Sequence, residues 1–136
     1  ERLIVSGLPT SKAGGLLGMS ELLHRNSGCT AVFAYNDLLA MGALSLCQRT
    51  GINVPKELSI IGMDDTEDGL YTNPPLTTVR IPRQEQGEFM ANYLLGTIQG
   101  GSPPSFLSLP IQLSLRKSVS SIQEDNIVRR IYDETN

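Results

Sequence analysis

The sequence predicts an α/β fold built around a parallel sheet, and three observations predict it. Strand-like and helix-like segments alternate over the first half of the chain. The runs Thr30-Ala-Val-Phe-Ala-Tyr35 and Leu58-Ser-Ile-Ile-Gly-Met63 are nearly continuous in apolar residues, as in strands covered by helices on both faces. Each run ends in a polar residue, Asn36 and Asp64 respectively, so neighbouring parallel strands would set these two side by side at the carboxyl edge of the sheet. Open α/β sheets bind small polar ligands at that edge.

Taken in order, Leu3-Ile-Val5 reads as a short buried strand. Gly7 to Lys12 is turn-rich, and Ser11 or Thr10 caps a helix that Leu16, Leu17, Met19, Leu22 and Leu23 mark out as far as His24. The Gly14-Gly15 pair is read as easing the start of that helix. Asn26-Ser-Gly28 punctuates, Thr30 to Tyr35 is the second strand, and Leu38, Leu39, Met41, Leu44 and Cys47 trace a helix to about Thr50. Gly51 with Pro55 shortly after stops this helix before the third strand, Leu58 to Met63. Past Pro74-Pro75, Leu76 to Ile81 reads as a strand, and Gln84 to Ile98 as a helix with Phe89, Met90, Tyr93, Leu94 and Ile98 on one face. Gly100-Gly-Ser-Pro-Pro104 ends it, and Phe106 to Leu115 is a long extended stretch. Val119 to Asn136 is polar and of mixed charge, and reads as a short helix or as a frayed tail.

The 136 residues are 40% hydrophobic and 18% charged, enough for one domain with a real core. A formal charge of −3 and the absence of a basic run give the chain no field to draw in nucleic-acid phosphates. No apolar stretch is long enough to span a membrane, and the first residues read as a strand and not as a signal peptide, which predicts a cytoplasmic location. The chain opens without Met inside an apolar run, as expected of a piece of a longer protein. Cys29 and Cys47 lack the spacing of a zinc site and are expected to be free, buried or half-buried thiols. His24, the only histidine, is expected at an exposed helix end.

Asn36 and Asp37 stand together where a strand turns into a helix. One of them is expected to cap the helix and the other to meet ligand, and the amide of Asn36, donor and acceptor at once, suits the ligand. The cluster Asp64-Asp65-Thr66-Glu67-Asp68 has three readings: a divalent-cation site, a catalytic carboxylate pair, or a split in which Asp64 faces the cleft while Asp65 or Thr66 caps a short helix. The split is preferred, since no second ligand set and no nucleophile accompanies the carboxylates. Dinucleotide, P-loop and hydrolase motifs are absent from the sequence.

Four segments then carry a family resemblance. Ala34-Tyr-Asn-Asp-Leu-Leu-Ala-Met-Gly-Ala-Leu44, Val54-Pro-Lys-Glu-Leu-Ser-Ile-Ile-Gly-Met-Asp-Asp65, Pro75-Leu-Thr-Thr-Val79 and Leu115-Arg-Lys-Ser118 resemble, in order and spacing, the effector-binding domain of LacI/GalR-type transcriptional repressors. The resemblance implies a periplasmic-binding-protein-like α/β domain of which this chain is the C-terminal portion. Residues 1–80 and 111–118 would form the C-terminal effector subdomain, and residues 81–110 a crossover with the last part of the N-terminal subdomain. Residues 119–136 would be a C-terminal tail, and the DNA-binding helix-turn-helix would be absent from this chain.

By the same resemblance, ligand contacts fall on Asn36 and Asp64, with Ile81, Arg83 and Thr10 as further cleft residues. Where many members stack an aromatic ring on the sugar, this chain has Pro9 and Thr10, and it has no Trp at all. Arg83 reads equally as a partner for a charged effector and as a solvated residue at a helix start. A dimer surface is implied at Met41, Leu44, Ser45, Gln48, Leu70 and Tyr71, several of which read equally as core. The implied function is effector sensing, of a sugar or other small metabolite, with allosteric control of DNA binding. The chain would carry no enzymatic activity and no cofactor or metal, and would act as a homodimer with no membrane partner. A solute-binding protein of a transport system is the alternative with the same fold, and a metal-dependent enzyme using Asp64 to Asp68 is the remaining one.

Overall fold

Both helices of the first half begin at a side chain that closes their first turn. Ser11 Oγ accepts from the Gly14 N–H at 3.1 Å at the start of α1 (Lys12–His24), and Asn36 Oδ1 accepts from the Leu39 N–H at 3.0 Å at the start of α2 (Asp37–Thr50). Helix α2 ends at Gly51, whose φ of +77° is a conformation that residues with a side chain rarely adopt. The computed structural model describes residues 3–25, 28–102 and 108–121.

Four strands, β1 (Ala31–Phe33), β2 (Ser59–Met63), β3 (Thr77–Arg80) and β4 (Gln112–Ser114), lie in the order β1-β2-β3-β4. The first three are parallel, with Phe33 beside Ile61 and Met63 beside Val79, and β4 returns antiparallel with Leu113 beside Val79. A 3₁₀ turn, Glu67–Leu70, follows β2, and α3 (Arg83–Ile98) follows β3. The core is formed by Met19 of α1, Ala40, Met41, Ala43, Leu44 and Cys47 of α2, and Ala34, Leu58, Ile60 and Leu76 of the sheet and its flanks. Burying a side chain of the size of Leu, Ile or Met stabilises by about 1.5–3 kcal/mol, so this interface is the main apolar contribution.

Helices α1 and α2 approach each other through glycine. A Cβ on Gly42 would stand 2.0 Å from the backbone oxygen of Lys12, and one on Gly15 would stand 2.0 Å from that of Leu39. Gly15 therefore serves close helix packing and not an easy helix start.

Four further expectations are corrected. Residues 3–5 form no strand: Leu3 and Ile4 are exposed, and the Ile4 carbonyl accepts from Arg25 Nη1 at 2.8 Å, which replaces a strand neighbour. Ile60 and Gly62 face α2, but alternation turns Phe33 and Leu113 to the opposite face, where they stay 59% and 57% exposed; among the described residues the packed helices thus cover one face only. Helix α3 buries none of its residues, although Phe89 and Tyr93 contact each other with ring centroids 6.1 Å apart. The stretch 106–115 shortens to β4, with residues 103–107 outside the described ones, as are 26, 27 and 122–136. The described start of the tail is anchored, since Ser120 Oγ donates to the Pro55 carbonyl and its N–H to Ser59 Oγ.

Gly42→Ala in the intact protein is expected to cost about 1–3 kcal/mol, because the added methyl meets backbone that cannot rotate away. Chemical denaturation measures it, and an unchanged midpoint would show that α1 moves off α2 freely.

Candidate functional site

The carboxyl edge of the sheet is organised around Asp37, which is fully buried. One oxygen, Oδ2, accepts from the Thr66 N–H at 2.7 Å and from Thr66 Oγ1 at 3.0 Å, and the other, Oδ1, accepts from Thr78 Oγ1. Thr78 Oγ1 in turn accepts from the Asp65 N–H at 3.3 Å. A buried carboxylate needs such partners, because an unpaired one carries a large desolvation cost. Asn36, not Asp37, thus provides the helix cap, and the reason is geometric: Asn36 has the extended backbone of a cap residue, while Asp37 lies inside the first turn and points to β3. Asn36 Oδ1 is committed to that cap, which leaves its NH₂ as the group able to serve a ligand.

The turn held by this network is strained. Asp64 has φ +126° and Asp65 φ +55°, conformations that cost a residue with a side chain about 1–3 kcal/mol and persist where surrounding bonds enforce them. Asp65 pairs with Arg116, each side chain 15% exposed, and also accepts from Ser114 Oγ at 2.9 Å. Arg116 donates to the Leu76 carbonyl at 2.8 Å as well, so that pair is closed. Asp65 is therefore an anchor for the return strand, and no side chain of Asp65 or Thr66 caps the 3₁₀ turn. Asp64 points the other way: its Oδ1 meets Arg83 Nη2 at 2.9 Å, with 30% of the Asp64 side chain and 57% of the Arg83 side chain exposed.

These residues border a cleft of about 820 Å³, within the range of small-ligand sites. Asp64, Ile81 and Arg83 line it together. Continuing the register Phe33 beside Ile61 brings Asn36 level with Asp64, but Asn36 is buried and is not on the cleft wall, and neither is Thr10, an exposed residue before α1. Arg80, Gln112 and Arg116 also line the cleft and were not singled out from the sequence. For Arg116 the signal was its place in the Arg-Lys pair after Leu115, opposite in charge to the acidic run after Met63, and Arg80 and Gln112 had none.

Of the residues read as a dimer surface, Met41 and Leu44 are core, at 7% and 2% exposure, and are covered by this chain's own packing. Ser45 is half-buried, while Gln48, Leu70 and Tyr71 are exposed. Cys47 is buried, and desolvation pushes its thiol up to about 11, which keeps it protonated and inert; Cys29 is half-buried and neither cysteine is in a disulfide. His24 is exposed at the end of α1. Among the described residues no group of three or more His, Cys, Asp or Glu side chains converges as metal ligands would. Asp68 bonds Lys12 at 3.2 Å.

A parallel-dominated sheet with a cleft at the carboxyl edge of its parallel strands is the architecture in which open α/β domains hold small ligands. The family model of the periplasmic binding protein-like domain matches residues 5–119. The ribose operon repressor of Haemophilus influenzae is 37% identical over 112 residues, 81% of this chain and 33% of that protein. Among solved structures, the transcriptional regulator CelR–cellobiose complex aligns with a TM-score of 0.79 at 33% identity, covering 87% of this chain and 36% of that one. The lac repressor dimer bound to operator and the anti-inducer ONPF aligns with a TM-score of 0.77 at 31% identity, over 82% of this chain and 39% of that one. The chain belongs to the periplasmic binding protein-like family, as part of a LacI-type effector-binding domain, and spans about a third of the length of the repressor it matches.

Asp37→Ala is expected to destabilise the intact protein by about 3 kcal/mol, because it leaves the Thr66 N–H and the Thr78 hydroxyl without an acceptor; denaturant titration reads the loss. Asp64→Gly and Asp64→Ala both remove the Arg83 contact, but glycine accepts the positive φ. The glycine variant should therefore be the more stable by about 1 kcal/mol. Equal melting points for the two would argue that Asp64 bears no backbone strain.

Proposed function

We propose that this chain is the C-terminal part of the effector-sensing and dimerisation domain of a LacI/GalR-like transcriptional regulator. A sugar or other small metabolite binds in the cleft beside Asp64, and DNA is contacted through a helix-turn-helix outside these residues. The observation that carries the reading is Asp64 itself, a strained aspartate at the carboxyl edge of a parallel sheet with its carboxylate on the wall of the cleft. The names of the relatives support it: CelR is described in complex with cellobiose, and the lac repressor as a dimer on its operator with a small-molecule anti-inducer.

In this reading Ile81 and Arg83 complete the contacts around Asp64 on the cleft wall, and Asn36 and Thr10, which lie off that wall, are not among them. Residues 1–80 with 111–118 form one subdomain, and 81–110 form the crossover and the last part of the other. The single sheet shared by β1 to β4, against which α3 buries nothing, supports that division. Gln48, Leu70 and Tyr71, with the edge of Ser45, present the dimer surface. Met41 and Leu44 support it from within the core. The protein performs no chemistry and works in the cytoplasm, a reading supported by the transcriptional regulators among its relatives. Effector binding biases the relative orientation of the two subdomains, and the dimer passes that bias to DNA.

The test is calorimetry on the intact protein with a panel of sugars and nucleosides, followed by Asp64→Ala on the best ligand. Truncation is expected to weaken binding at least tenfold, by more than about 1.4 kcal/mol. Undiminished affinity sinks the assignment, and ligand binding with no effect on DNA affinity would favour a transport-type solute-binding protein.

A further inference from the structure

The charge of Asp64 on the cleft wall is already matched within the chain. Arg83 Nη2 lies 2.9 Å from Asp64 Oδ1, and both side chains remain open to the cleft. Arg116 and Asp65 form a second pair that is closed by further hydrogen bonds and largely buried, so it offers a ligand nothing. The other charged groups on the wall are Arg80, Glu67 and Glu85, which leaves one more carboxylate than guanidinium around the cleft. Glu85 also occupies the first turn of α3, the place where a helix start would otherwise favour an anion.

We propose that Arg83 is the specificity-determining residue of this site. Held on Asp64, it presents a charge-neutral donor and acceptor side by side, so the cleft takes a neutral polyhydroxy ligand and turns away phosphate- or carboxylate-bearing ones. The proposal rests on the assignment of this cleft as the effector site. A hydroxyl group can donate to the carboxylate and accept from the guanidinium at once. A phosphate gains only from Arg83, and does so by separating it from Asp64 and leaving that carboxylate unmatched beside the incoming charge. A free ammonium group meets the mirror-image cost.

Inorganic phosphate is the direct probe, titrated into the intact protein and its variants by calorimetry. Asp64→Asn keeps a residue that tolerates positive φ and removes the carboxylate, which frees Arg83. Phosphate is expected to bind D64N at least about tenfold more tightly than the wild type, and the double variant D64N/R83Q should lose the gain. Equal affinity of wild type and D64N, or a gain that survives in the double variant, overturns the proposal. Arg83→Gln alone gives an independent arm if D64N does not fold: Asp64 is then unmatched, and the affinity for D-glucosamine over D-glucose should rise by a similar factor. No rise there also overturns it. Failure of the effector site itself shows differently, as Asp64→Ala leaving sugar affinity unchanged whatever phosphate does.

Discussion

One buried carboxylate holds the carboxyl edge of this sheet together. Asp37 stands at the first position of α2, yet its partners are Thr66, after β2, and Thr78, on β3, so it ties a helix start to two strand ends. Through Thr78 Oγ1 it also reaches the Asp65 N–H. The segment between these bonds is the one in which Asp64 and Asp65 hold positive φ. Two residues in unfavourable backbone conformations persist because bonds on either side leave the chain little alternative, and the consequence is that one carboxylate turns inward to Arg116 while the other turns to the cleft. The direction of Asp64 is thus set by a residue that touches no ligand.

The same economy recurs along β3, where buried threonines replace apolar side chains. Thr77 Oγ1 accepts from the Arg116 N–H and its own N–H donates to Ser118 Oγ, which donates to the Ile60 carbonyl. Thr77, Thr78 and Ser118 are all fully buried, and each has its hydrogen bonds satisfied within the described residues. Polar groups in that position cost stability unless paired, so they fix where the returning segment 114–118 can lie more sharply than packing alone would. β4 and Arg116 after it are thereby registered against the acidic turn, where Arg116 pairs with Asp65.

What could be read in the sequence follows the range of the interaction. The Ser11 cap, the Gly51 stop and the end of β2 at Met63 are local signals and appear where capping and patterning put them, while β1 stops at Phe33, two residues short of the expected Tyr35. Asp64 was legible because a polar residue ended an apolar run. Asn36 and Asp37 were legible as a pair, but their division of labour depended on Thr66 and Thr78, which lie far along the chain and give no local hint. Arg116 is the same case, its partner being 51 residues away. Leu3 to Val5 has the composition of a strand, but a strand is a relation between two backbones, and the Ile4 carbonyl is taken by Arg25 instead. Gly15 and Gly42 gave no sign of their role, since close approach of two helices leaves no periodicity in either.

The position of Arg83 joins the site to the one helix that the core does not hold. Among the described residues, its contact with Asp64 is the one polar side-chain link between α3 and the sheet, and α3 buries no residue of its own. An ion pair this exposed contributes under about 1 kcal/mol. The core, by contrast, fixes α1, α2 and the strands with several fully buried side chains. Among the described residues, the placement of α3 relative to the sheet thus rests on few side-chain contacts, and the Asp64 carboxylate makes one of them. A ligand that bridges Asp64 and Arg83 acts on that placement directly. Since that pair holds α3 only weakly, a difference in affinity of about 1–2 kcal/mol between two placements is enough to change which one predominates. On the proposed reading, recognition and the motion that reports it meet at a single carboxylate, and a distant relay is not required to connect them.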